Sequence, residues 1–212
     1  MIDQLVEAGR RLAAAGISPG TSGNLSVRDG DRMLITGTGA DLGRLSEADV
    51  AEVGMDGGRL GGPRPSKEVS VHLAMYERNP GHTATVHVHS PHAVAVACLP
   101  PWSEASALPP LTPYFVMRVG QTPLIPYRAP GDPELGTLIA GHPLAFRAAL
   151  LANHGQVTSG TGLDDALTAA VELEETCRIA LLTDGRAPRT LDAAAIAELT
   201  RRNGTSWDTP AR

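Results

Sequence analysis

A chain of 212 residues that is 42% apolar and 19% charged suits one domain whose core needs neither disulfide nor metal merely to hold together. A net charge of −5, no basic stripe and only 3% aromatics exclude a nucleic-acid surface. No apolar run approaches the roughly 20 residues of a spanning helix, and the N-terminal MIDQLVEAGRRL carries Asp3 and Glu7 where a signal peptide would be apolar, so a cytoplasmic protein with no membrane partner is expected.

With 23 Gly, 17 Pro and few aromatics, the composition points to many turns and a core of Ala, Leu and Val rather than a helical bundle. Ile2, Leu5, Val6, Gly9, Leu12 and Ala13 recur at helical spacing before Gly16. Residues 24–28 and 33–36 alternate about the turn RDGDR and predict a hairpin, and a second one is expected over 51–60 around Asp56-Gly57-Gly58. Ser46 to Asp49 has the pattern of a short capping box. A helix is expected after Pro65, with Ser66 as N-cap, a stripe of Val69, Leu73 and Tyr76, and Pro80 as its end.

Residues 83–89 alternate strictly, with Ala84, Val86 and Val88 on a buried face and Thr85, His87 and His89 on a polar one. Pro91 then opens a short helix to Leu99. Segment 100–135 reads as Pro-rich and irregular, with a strand at 123–126. Strands are expected at 148–152 and 156–159, and a long helix over 163–183. Residues 1–185 read as one domain, and 186–212 as a polar tail with a weak helix near 192–202. Hairpins interleaved with helices predict a mixed or antiparallel sheet flanked by helices. Cys98 and Cys177 read as buried thiols in a reducing compartment.

Three of the seven histidines, His87, His89 and His92, fall within six residues. Two apart on a strand, His87 and His89 share a face and can aim at one metal ion. A catalytic metal takes three or four protein ligands and an open position. His154, in an Asn-His-Gly break after an apolar strand, is the next candidate, and Glu68 is the best carboxylate. The alternatives are hydrogen-bonded histidines on a wet sheet face and a helix-dipole role for Glu68. His92 reads as a neighbour of the site rather than a ligand, His72 and His82 as structural or solvated, and His142 as part of a turn. Residues 20–26, 36–39 and 65–68 offer small residues, hydroxyls and backbone N–H groups that can cradle a phosphate, the last with Lys67.

The order GTSGNLSVR (20–28), MLITGTGADLGRL (33–45), PSKE (65–68), TVHVHSPHAVA (85–95) and LLANHG (150–155) resembles the class II aldolase/adducin family. The resemblance implies a three-layer α/β/α fold with a central, mainly antiparallel sheet, and a homotetramer with active sites between subunits. It implies that His87, His89 and His154 bind a divalent metal, usually zinc, with manganese or cobalt also compatible. Glu68 becomes a metal-side residue that doubles as acid/base. Phosphate contacts are implied at Ser22, Gly23, Asn24, Thr38, Gly39 and Ser66, with Lys67 as a partner for phosphate or carboxylate.

Residues 107–120 and 123–136 resemble the branch that decarboxylates 3-oxo-tetronate 4-phosphates to dihydroxyacetone phosphate and CO₂ through a metal-stabilised enediolate. By the same analogy Tyr114 is a catalytic or orienting group reaching a neighbouring subunit's site. Gly37 stands where proline is common. The tail has no tyrosine, whereas family aldolases borrow one there, which weakens the alternative of an aldolase acting on L-fuculose 1-phosphate or a similar ketose 1-phosphate. Further alternatives are a non-catalytic adducin-like module and, ranked lower, a dehydratase of methylthioribulose phosphate.

Overall fold

A computed structural model describes residues 1–18 and 20–208; the last four residues of the expected tail lie outside the described residues. Helix α1 (Ile2–Ala14) buries Leu5, Val6, Ala8, Gly9 and Leu12, the face that its spacing predicts. Strands β1 (Asn24–Asp29) and β2 (Arg32–Thr36) form the first hairpin, and β3 (Val50–Gly54) and β4 (Arg59–Gly61) the second. The Ser46–Asp49 capping box closes a single 3₁₀ turn.

Helix α2 (Val69–Arg78) precedes β5 (Ala84–Val88), α3 (Pro91–Ala97), α4 (Pro113–Arg118), β6 (Leu124–Ile125) and α5 (Glu134–Ala140). Strands β7 (Ala148–Leu151) and β8 (Gly155–Gly160) lead into α6 (Leu163–Thr183) and α7 (Ala193–Asn203). The eight strands form one sheet in the order β4-β3-β2-β1-β5-β8-β7-β6. Among the described residues only the β6–β7 pairing is parallel, so the sheet is mainly antiparallel, as expected.

Alternation along each strand decides which helices cover which face. Leu25, Val27, Ala84, Val86 and Val88 pack with Leu5, Leu12, Ala166 and Ala170 beneath α1 and α6. Ala148 and Leu150 continue that layer under α3, α4 and α6. On the opposite face Ile125, Ala149, Leu151 and Val157 meet Val71 and Met75 of α2 and Leu135 and Ile139 of α5. Met33, Ile35, Ala51 and Val53 pack on Tyr76. The result is three layers, α/β/α, with a core of small and branched side chains that the composition predicts.

Four expectations are corrected. The face of β5 carrying Thr85 and His87 is not wet: α2 lies over it, and both residues are fully buried. Ser66 is not the N-cap of α2, which begins three residues later with Glu68 at the cap; Ser66 Oγ instead accepts a hydrogen bond from the Glu68 N–H at 3.3 Å. Segment 100–135 holds two short helices, α4 and the start of α5, which lack the length to show a period. Cys98 is exposed at the C-cap of α3, while Cys177 is buried, and both thiols are free.

Beyond α6 the chain turns back onto α4. The Leu191 N–H bonds to the Pro110 carbonyl, Thr205 Oγ1 to the Val116 carbonyl at 2.7 Å, and the Gln121 N–H to the Ser206 carbonyl. Trp207 meets Phe115 edge-on at 5.9 Å.

Candidate metal centre

Four side chains from three regions of the chain converge where β5 ends and β8 begins. Glu68 comes from the N-cap of α2, His87 from β5, His89 from just beyond it, and His154 from the turn between β7 and β8. One donor atom of each lies within 4.8 Å of one from each of the others. The three imidazole centroids are 4.6–4.9 Å apart. His87 is fully buried, Glu68 is 5% and His154 7% exposed, and His89 alone of the four is half-buried, so the cluster opens to solvent on its side.

Local backbone explains each placement. The turn before β8 puts Asn153 in the left-handed region (φ 55°), which Asn tolerates. Gly155 lets β8 approach β5: a Cβ there would lie 2.7 Å from the Val88 carbonyl oxygen and 3.2 Å from His89 Cδ2. Gly155→Ala is therefore expected to cost about 1–3 kcal/mol as overpacking. That lowers Tm by roughly 2–4 °C per kcal/mol in a chain of this size, and weakens metal binding as His89 tilts. Thermal melts and zinc titration check this; an unchanged Tm and affinity would contradict the geometry.

The donors are set for a cation. His87 Nδ1 donates to the Gln156 carbonyl at 2.8 Å, so in the neutral ring its lone pair is on Nε2, facing the cluster. His87 Nε2 lies 3.0 Å from His89 Nε2 and 3.0 Å from Glu68 Oε2. His154 Nε2 lies 3.2 Å from Glu68 Oε1, but without hydrogen-bond geometry: Glu68 Oε1 and both His154 nitrogens are buried with no hydrogen-bond partner among the described residues. Buried donor atoms left unpaired around one point are costly unless an ion pairs them. The set fits a divalent metal.

The protonation pattern agrees. Burial would raise the Glu68 carboxyl, but the His87 charge, the contacts of His154 and His87 and the Asn24 amide hold it well below the usual carboxylate range. Burial pushes His87 down, yet the Glu68 carboxylate and the Gln156 carbonyl lift it above its ordinary value. Burial, with His87 and His154 nearby, lowers His89 to about 4, so it stands neutral at pH 7. Each imidazole must be neutral to ligate, so metal affinity falls as pH falls.

The family model of the class II aldolase and adducin N-terminal domain matches residues 3–181. The chain belongs to the class II aldolase/adducin family. A 3-oxo-tetronate 4-phosphate decarboxylase of Haemophilus influenzae is 43% identical over 199 residues, covering 93% of this chain and 95% of that protein. An L-fuculose phosphate aldolase of Escherichia coli is 32% identical over 182 residues, covering 85% and 82%. The crystal structure of YgbL from Escherichia coli, described as an aldolase, epimerase or decarboxylase, superposes with a TM-score of 0.88 at 38% identity, covering 93% of this chain and 96% of that one. With this class II aldolase fold and an intact donor set, the protein is a metal-dependent carbon–carbon lyase.

The glycine-rich segments meet beside Glu68. Thr38 Oγ1 donates to the Pro65 carbonyl at 2.8 Å, the Ser66 N–H to the Thr36 carbonyl, and the Leu25 N–H to Thr36 Oγ1. Gly37 is held by its N–H bond of 2.7 Å to the Asp49 carbonyl. Ser22, Thr38, Gly39 and Lys67 are exposed there, Gly23 takes a positive φ of 115°, and Ser66 is buried. Asn24 differs from its neighbours, because both ends of its buried side-chain amide are engaged inside the protein: Nδ2 donates to Glu68 Oε2 at 2.9 Å and Oδ1 accepts from His72.

Tyr114 stands on α4, 54% exposed, with the Arg118 guanidinium 4.6 Å above its ring and outside the four-residue cluster. His92 is also outside it. Its Nδ1 lies 2.7 Å from Glu174 Oε1, and the same carboxylate accepts the N–H groups of His92 and Ala93 at the start of α3. Glu174 is not legible in the sequence, since nothing in α6 marks it until α3 packs across. His82 bonds Ser159 Oγ and His142 Nδ1 accepts the Leu144 N–H, both away from the centre.

Proposed function

We propose that this lyase decarboxylates a 3-oxo-tetronate 4-phosphate, giving dihydroxyacetone phosphate and CO₂. The observation that carries the reading is the 43% identity to a named decarboxylase along nearly the whole of both chains, against 32% to the fuculose phosphate aldolase. The three tyrosines are Tyr76, Tyr114 and Tyr127, so residues 186–212 offer none to an aldehyde. The intact donor set speaks against a non-catalytic module.

His87, His89 and His154 would hold the metal as neutral imidazoles, with Glu68 beside them. Zinc is the ion we assign, since three nitrogens and a carboxylate suit its borderline softness. Such an ion supplies an electrophile to the substrate oxygens. The C1–C2 bond breaks, CO₂ leaves, and the electron pair enters the C2–C3 enediolate. C2 then takes a proton, ultimately from water.

Glu68 suits that transfer: Asn24 holds Oε2, and Oε1 has no hydrogen-bond partner. Gln156, through its carbonyl, keeps His87 in the right tautomer. Ser22, Gly23, Thr38, Gly39, Ser66 and Lys67 would receive the phosphate. We place the enzyme in the cytoplasm as a homotetramer in which the exposed Tyr114 serves a neighbouring site as donor or orienting group.

Purified zinc-loaded protein should release CO₂ and dihydroxyacetone phosphate in equal amounts from a 3-oxo-tetronate 4-phosphate, and little aldehyde from L-fuculose 1-phosphate. Aldehyde release without CO₂ formation would replace this reading by aldol cleavage.

A further inference from the structure

A polar ladder runs from Glu68 into the core. Helix α2 aligns Glu68, His72 and Tyr76 at intervals of four residues, and β1 aligns Asn24 and Ser26 two apart. Four helical residues advance about 6.0 Å and two strand residues about 6.6 Å, so the two sets interleave. Asn24 Nδ2 lies 2.9 Å from Glu68 Oε2, and Asn24 Oδ1 bonds His72 Nε2. His72 Nδ1 lies 2.7 Å from Ser26 Oγ, which lies 2.7 Å from the Tyr76 hydroxyl. Asn24 is 4% exposed and the other three rungs 0–1%.

The donors have one consistent direction. A carboxylate accepts only, so the Asn24 amide nitrogen must face Glu68. Its oxygen then takes the His72 Nε2 hydrogen, the His72 Nδ1 lone pair takes the Ser26 hydrogen, and Ser26 Oγ takes the Tyr76 hydrogen. Burial supports this by lowering His72 to about 3 and raising Tyr76 to about 12, so both stay neutral. Apolar side chains would fill this space without needing any partner. The ladder's end, one oxygen of a metal-side carboxylate, is what they could not supply.

We propose that the Tyr76–Ser26–His72–Asn24 ladder is the positioning device for Glu68, fixing Oε2 and leaving Oε1 as the oxygen that meets the cation or carries the proton. His72 is its central positioning residue. This rests on the reading of Glu68 as the metal-side carboxylate.

Metal-free protein is titrated with Co²⁺ and followed by its visible bands, beside urea melts and steady-state kinetics. His72→Leu should weaken Co²⁺ by about 10–100-fold and shift the bands, lowering kcat by a similar factor with KM nearly unchanged. His72→Gln, whose amide can again donate to Asn24, should recover most of the loss. Ser26→Ala should weaken Co²⁺ by a smaller factor. A folded His72→Leu protein with wild-type affinity and bands overturns the proposal. If that variant does not fold, Ser26→Ala decides, and its unchanged affinity overturns the proposal too. The Co²⁺ titration needs no substrate, so inactivity of the wild-type enzyme on the oxo acid would overturn the proposed reaction and leave this test standing.

Discussion

His89→Ala yields a folded protein that no longer retains zinc through dialysis and whose turnover falls on the order of 10³-fold or more. The magnitude follows from losing the several kcal/mol of charge stabilisation that a bound cation supplies. His89 is the informative choice among the proposed ligands. It is half-buried beyond the end of β5, whereas truncating the fully buried His87 would also open a cavity and break the bond to the Gln156 carbonyl. Metal analysis, turnover and a urea melt on one preparation test it. A variant that keeps one equivalent of zinc and its activity would show that the four side chains are not the centre.

Glu68→Gln separates holding the metal from moving the proton. The shape is kept, the three imidazoles remain, and the Asn24 amide can still donate to the new side-chain oxygen. What is lost is the negative charge and the capacity to carry a proton at Oε1. Zinc stoichiometry should be retained when the metal is in excess, while kcat falls by about 10²–10⁴, the range for general acid–base groups. Wild-type turnover in this variant would remove the acid/base role and leave Glu68 only a ligand.

The convergence of His87, His89 and His154 was legible because these histidines carry local marks. The His-Val-His spacing puts two imidazoles on one side of a strand, and a histidine between Asn153 and Gly155 has no reason in turn chemistry alone. What surrounds the set was not legible. The face of β5 bearing Thr85 and His87 reads as wet because a strand's own alternation cannot show that α2 will lie over it. Helices α4 and α5, six and seven residues long and beginning at Pro113 and next to Pro133, are too short to display a period. His72 and Tyr76 looked like one structural histidine and one member of an apolar stripe. Only the register between α2 and β1 shows them as rungs of one ladder with Asn24 and Ser26.

The four donors lie at positions 68, 87, 89 and 154, and the sheet order puts β1, β5 and β8 side by side although Asn24 and Gln156 are far apart in the chain. Such distant pairings close late and slowly during folding. The four donors thus meet only once these distant segments have come together. The contribution of a bound ion is a thermodynamic latch: binding the native state alone, it adds stability in proportion to the logarithm of free metal, so depletion of the metal by a chelator is expected to lower the melting temperature as well as silence the reaction.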